Sequence, residues 1–179
     1  MKYWFTSDYH LGHANIIKYC NRPFKNLKQM EEIIIRNHNA RVKPEDTVFH
    51  VGDFCFKNTK GGKKGEGELT RANEYLEKLN GRFVFISGNH DKHNSLKTCI
   101  KSIAIRLAGE SIFLTHRPED FNKNYKINLV GHVHEKWKTK IIGNCLLINV
   151  GCDQWKFMPI NIQEITKLIN KKLKSSQFD

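Results

Sequence analysis

The sequence predicts an α/β chain in which a mixed sheet, or two packed sheets, carries helices on the outside. Three observations predict it. Short runs rich in β-formers recur at Lys2 to Ser7, Thr47 to Val51, Val84 to Ser87, Ile112 to Thr115 and Ile127 to Val130. Helical spacing of apolar residues separates the first three, as helix-crossed strands require. Hairpin signals then crowd the C-terminal half.

After the first strand, Leu11-Gly12-His13-Ala14-Asn15 reads as a loop, with Asn15 as N-cap of a short helix through Ile16, Ile17 and Tyr19 that Arg22-Pro23 ends. Leu27, Met30, Ile33, Ile34 and Asn37 keep helical spacing, which predicts a helix from about Leu27 to Arg41. Lys43-Pro44-Glu45-Asp46 is a turn into the second strand. The stretch from Lys57 to Gly67 is glycine- and lysine-rich without apolar residues, a mobile basic loop that is either solvated or a lid over an anionic substrate. Leu69, Ala72, Tyr75, Leu76 and Leu79 mark the next helix, stopped by Asn80-Gly81. A further helix is expected around Ser95 to Lys101. Ala104 to Leu107 and Ile112 to Thr115 form a hairpin across Ala108-Gly109-Glu110-Ser111, and the run from Ile141 to Ile148 repeats the device around Gly143-Asn144. Ile162, Ile165, Leu168, Ile169 and Leu173 close the chain as an amphipathic helix, with a frayed tail from Lys174.

At 179 residues the chain suits one domain, expected over residues 1–173, large enough to bury a core. Thirty Lys and Arg against eighteen Asp and Glu leave a formal charge of +12, which favours anionic partners by field alone; a solvated basic surface is the plainer alternative. Five cysteines, without a C-x-x-C pair, indicate neither a disulfide framework nor a thiolate zinc site, and point to a reducing compartment. A carboxylate at Asp8 comes too early for a signal peptide, and no apolar run approaches membrane-spanning length, so a soluble, cytoplasmic protein is expected.

Each of the five predicted strands runs directly into residues that bind metals or move protons. They are Asp8-Tyr9-His10, Gly52-Asp53, Gly88-Asn89-His90-Asp91, His116 and Gly131-His132-Val133-His134. On an extended segment, positions i and i+2 share a side, so Asp8 with His10, and His132 with His134, can each face one cavity. Strand C-terminal ends form the ligand crevice of open α/β sheets, so the five motifs are expected to converge. Oxygen and imidazole donors together suit Mn, Fe, Zn, Co or Ni better than Ca or Mg. Seven such groups are too many for one ion. Two ions need a shared ligand, which a carboxylate can be, and the solitary Asp53 is the natural bridge.

In this order, these motifs resemble the calcineurin-like metallophosphoesterases, over residues 2 to about 152. The run from Asp8 to Ile17 is also similar to that of a group of small superfamily members. The resemblance implies a four-layer αββα sandwich and a dinuclear-metal phosphoesterase acting on phosphomonoesters or phosphodiesters, nucleotides among them. It implies two divalent transition-metal ions, manganese first, with Asp8, His10, Asp53 and His134 on one and Asp53, Asn89, His116 and His132 on the other. A water bridging the ions would attack phosphorus, His90 would act as acid, and Asp91 would orient its ring. Asp53 is followed by Phe54-Cys55-Phe56-Lys57 rather than the Asp-Arg-Gly of serine/threonine phosphoprotein phosphatases, so a protein phosphatase is not expected. The alternatives are a nuclease on longer nucleic-acid chains and a metal-binding interaction scaffold without turnover.

Among the remaining residues, His13 is a candidate for the substrate phosphate, and Arg117 for a bidentate grip on a phosphoryl oxygen or for a pair with Glu119 or Asp120. His50 should pack on the opposite strand face, and His38 and His93 should lie at the surface. Trp4, Trp137 and Trp155 are core or strand-face residues, with Trp155 able to stack a base.

Overall fold

The computed structural model describes residues 1–56, 71–91 and 95–175. Two mixed sheets pack face to face. The first holds β1 (Tyr3–Thr6), β2 (Thr47–Val51) and β3 (Arg82–Ile86) in parallel. The second is built from β4 (Ser102–Leu107), β5 (Glu110–Thr115), β6 (Ile127–Val130), β7 (Thr139–Ile142) and β8 (Cys145–Asn149), ordered β4-β5-β6-β8-β7. Its three central strands run parallel, and a hairpin adds an antiparallel strand at each edge. A two-residue strand, β9 (Ile160–Asn161), too short to carry a sequence pattern, completes the first sheet antiparallel to β1.

Alternation along each strand supplies one face to the layer between the sheets. Phe5, Phe49, Val51 and Ile86 meet Ile112, Leu114, Leu129 and Ile148 there, joined by Ile162, Ile165 and Ile169 of helix α4 (Ile162–Ser175). Each fully buried aliphatic side chain stabilises the fold by roughly 1.5–3 kcal/mol. Numbered in chain order, α1 (Ile16–Tyr19), α2 (Leu27–Asn39) and α3 (Ala72–Leu76) cover the outer face of the first sheet through Ile16, Met30, Ile34, Ala72 and Tyr75. Asn26 starts α2, its side chain accepting from the Gln29 amide at 2.9 Å. The outer face of the second sheet is crossed by the connection from β5 to β6. Buried Asn128 anchors that connection, accepting from the Asn122 amide and donating to the Tyr125 carbonyl, each at 2.9 Å.

The predicted strands and hairpins are present, and several details differ. Residues 95–101 form a turn and extended chain, not a helix. The Ser87 amide, at the end of β3, donates to the Ile100 carbonyl at 2.7 Å, and satisfying that backbone group outweighs a weak helix preference. Asn15 precedes α1 but makes no side-chain cap. His38, expected at the surface, is fully buried, which its two hydrogen bonds permit: Tyr9 Oη at 2.9 Å and the Asn80 carbonyl at 2.8 Å. His50 packs on the outer strand face, among Tyr9, Phe54 and Phe85. Trp4 is buried and donates to Asp46, whereas Trp155 carries the Lys138 ammonium 3.5 Å above its ring, so that face is not open to a base. Helix α4 continues through Lys174 to Ser175, beyond the expected start of the tail. The basic loop 57–67 and His93 lie outside the described residues. No helix among the described residues is long and apolar enough to cross a membrane.

Candidate metal centre

The parallel register ends β1, β2 and β3 together, with Thr6 beside His50 and Val51 beside Ile86. The segments beyond them stay paired: the Asp8 amide donates to the Gly52 carbonyl and the His10 amide to the Asp53 carbonyl, both at 3.0 Å. From the second sheet, the Gly131 amide donates to the His116 carbonyl at 3.0 Å, which holds the β6 end against the β5 end. All five motifs therefore emerge at one edge of the sandwich.

The way the side chains are aimed differs from the extended i, i+2 alternation expected. Asp8, His10, Asp53, His132 and His134 have φ of 59°, 51°, 56°, 70° and 44°, in the left-handed region that non-glycine residues rarely occupy. Such conformations each cost of order 1–3 kcal/mol and persist where surrounding structure imposes them, characteristically at functional sites. Close approach explains two of the motif glycines. A Cβ on Gly88 would collide with the Asp53 carboxylate and amide, and one on Gly52, itself at φ +91°, with the His116 ring.

Two groups of potential ligand atoms result, each within 4.8 Å of one another: Asp8, His10 and His134, and Asp53, His116 and His132. They meet at one oxygen. Asp53 Oδ2 lies 3.5 Å from His10 Nε2 and 3.3 Å from His116 Nε2. Asn89 joins the second group, its Oδ1 lying 3.1 Å from His116 Nε2.

Divalent cations fit this donor set. Both ring nitrogens of His10 are buried without a hydrogen-bond partner, a costly arrangement unless something else takes the lone pair. His116 donates Nδ1–H to the Val51 carbonyl at 2.9 Å, so its Nε2 points at two oxygens that both seek a positive centre. His134 is committed in the same way, Nδ1 to Asp153 Oδ2 at 3.1 Å, which leaves Nε2 for a ligand.

The electrostatics set burial against charge pairing, and the balance differs from group to group. Burial would raise the Asp53 carboxyl, yet the hydrogen bond from His116 and the charge of that ring hold it far below the ordinary range. Burial opposes a charged His116 ring, but its hydrogen bond to Asp53 and the charge of Asp8 lift it to about 9. His10 is driven well down by burial, and Asp8 up by the same cause.

His90 sits over this centre, its ring 5.2 Å from that of His10 and its amide donating to Asp53 Oδ1 at 2.9 Å. Asp91 has other partners than the expected ring of His90. Its carboxylate accepts from the amides of Gly88 at 2.7 Å, Asp53 at 2.9 Å and Phe54 at 3.2 Å, tying the β2 and β3 ends together. His13 is buried, stacked on Phe56 at 4.0 Å and 5.6 Å from the His10 ring. Arg117 is exposed and meets Glu119 at 3.4 Å, while lining a cleft with Asn89 and His116.

Three supporting residues escaped the sequence reading. Arg22, read as a helix terminator, is buried and reaches the Asp8 carbonyl at 2.6 Å, the Tyr9 carbonyl at 3.0 Å and both oxygens of Asp153 at 2.8 and 2.9 Å. Asp153 joins it to His134. Asn149 donates to the His134 and Trp137 carbonyls, each at 2.9 Å, and so shapes the loop after β6. No local pattern marks them, because each acts across a long stretch of sequence.

The chain is similar to several known proteins. An uncharacterized protein of Methanocaldococcus jannaschii is 36% identical over 178 residues, 95% of this chain and 92% of its own. The gene 66 protein of Mycobacterium phage L5 is 24% identical over 202 residues, 93% of each chain. A solved structure of a protein of unknown function from Aquifex aeolicus is similar with a TM-score of 0.68 and 27% identity, covering 93% of this chain and 98% of that one. The calcineurin-like phosphoesterase superfamily domain matches residues 1–162, and it is to this superfamily that the chain belongs.

Proposed function

We propose that the protein is a dinuclear-metal phosphoesterase that hydrolyses phosphomonoester or phosphodiester bonds, with manganese as the preferred ion. The observation that carries this reading is the position of Asp53 Oδ2 between His10 Nε2 and His116 Nε2, where one carboxylate can serve two ions. Asp8, His10, Asp53 and His134 would hold one ion, and Asp53, Asn89, His116 and His132 the other. When bound, the pair supplies Lewis-acid activation of a water and screening of the phosphoryl charge.

The chain's own residues supply the rest. His90, half-buried above His10, donates a proton to the leaving oxygen, which a poor alkoxide leaving group requires. Asp91 holds the segment bearing His90 through the amides of Gly88, Asp53 and Phe54. Arg22 and Asp153 hold Asp8 and His134 in register from below.

The test is a manganese titration of purified, chelator-treated protein with turnover of bis-p-nitrophenyl phosphate. About two ions should bind per chain, as a two-metal site demands, and hydrolysis should follow their uptake. Asp53→Asn should lose both ions together. Full metal loading without turnover of any mono- or diester would favour the scaffold reading instead.

A further inference from the structure

We infer that the cleft between Lys101 and Arg117, opening beside Asn89 and His116, receives a second phosphate of the substrate, so that the preferred phosphoester carries another phosphate near the one cleaved. This deepens the hydrolytic reading above and rests on it for the identity of the first phosphate.

Two backbone constraints bring Lys101 to the site. Ser102 pairs with Thr115 across β4 and β5, so the residue before Ser102 comes alongside His116. The Ser87 amide, bonded to the Ile100 carbonyl at 2.7 Å, draws the same segment against the end of β3. Lys101 is thus tethered from both sheets beside Gly88 and Asn89.

The cleft measures about 180 Å³. Pockets that enclose a whole drug-sized ligand run roughly 300–1,000 Å³, so this one fits a single group of a larger molecule. Among the described residues its lining holds two cations, Lys101 and Arg117, against one carboxylate, Asp120. Arg117 also meets Glu119 at 3.4 Å, but both side chains are exposed, and such pairs are weak and screened by salt. An incoming phosphate offers the guanidinium a bidentate partner and Lys101 a point charge, both stronger than the rim pair. The chain's +12 charge draws polyanions toward it.

Binding, read apart from turnover, tests this. Manganese-loaded full-length protein is titrated calorimetrically with thymidine 5′-phosphate and with thymidine 3′,5′-bisphosphate. The bisphosphate should bind about tenfold more tightly, the worth of one charge-assisted hydrogen bond. Lys101→Glu should erase that preference and Lys101→Gln reduce it; both change an exposed side chain, and circular dichroism checks the fold. Equal affinity of the wild type for the two ligands overturns the inference, as does a preference unaltered in Lys101→Glu and in Arg117→Glu. A bisphosphate preference in a protein that hydrolyses no phosphoester would sink the hydrolase reading and leave the cleft assignment standing.

Discussion

Asp153 Oδ2 lies 3.1 Å from Nδ1 of His134, and the same carboxylate takes two hydrogen bonds from the buried guanidinium of Arg22. Burial would raise the Asp153 carboxyl, but the His134 bond and the Arg22 charge hold it below its ordinary range. A carboxylate in this position fixes the tautomer and direction of a ligating imidazole and strengthens it as a ligand. Asp153→Asn keeps the shape and removes the charge. Manganese affinity should fall by about tenfold or more, measured by equilibrium dialysis; an unchanged affinity would disconnect Asp153 from the metal centre.

Gly88 leaves room for one carboxylate. Its missing Cβ would occupy the place of the Asp53 side chain, so Gly88→Ala forces Asp53 or the end of β3 to move. Overpacking of this kind costs about 1–3 kcal/mol, or roughly 3–10 °C in Tm for a chain of this size. Metal binding should suffer more than stability, since the displaced group is the proposed shared ligand. A variant with a lowered Tm and wild-type manganese stoichiometry would contradict that.

For His90, the discriminating variable is the leaving group. His90→Ala should slow hydrolysis of alkyl phosphodiesters by about 100-fold or more, and that of p-nitrophenyl esters far less, because nitrophenolate departs without a proton. Equal losses on both classes would assign His90 to binding or charge stabilisation rather than to proton donation.

His38 predicts a pH dependence of stability remote from the metal centre. Burial lowers its pKa to about 4, against an ordinary value of 6.5. The folded value is depressed, so the unfolded chain takes up the proton first as the pH falls. The stabilising contribution is complete above 6.5 and is lost between 6.5 and about 4, amounting to roughly 3 kcal/mol. His50, buried among aromatic rings and lowered to about 3, acts in the same direction. The fall in Tm between about pH 7 and about pH 5 should be smaller in His38→Gln than in the wild type; identical slopes would mean that His38 does not carry it.

Much of the architecture was legible because its causes are local. Strand-forming runs such as Ile127 to Val130 lead straight into Gly131-His132-Val133-His134, and both the strand and its abrupt end are written in neighbouring residues. The α2 stripe of Met30 and Ile34 and the Gly143-Asn144 turn are legible for the same reason. The helix expected at 95–101 failed because a carbonyl in that segment answers an amide at the end of another strand.

By itself, then, the sequence determined the strand ends, the order of the motifs and the mixture of carboxylate and imidazole donors, since these follow from adjacent residue types. Tertiary structure alone decided which donors share a centre: left-handed backbone at Asp8, His10, Asp53, His132 and His134 aims them inward, where alternation along an extended strand would have sufficed only for pairs. It also decided that Arg22 and Asp153 brace the site from 131 positions apart and that Lys101 stands beside His116. Contacts of that span depend on how two sheets dock, and no spacing along the chain encodes them.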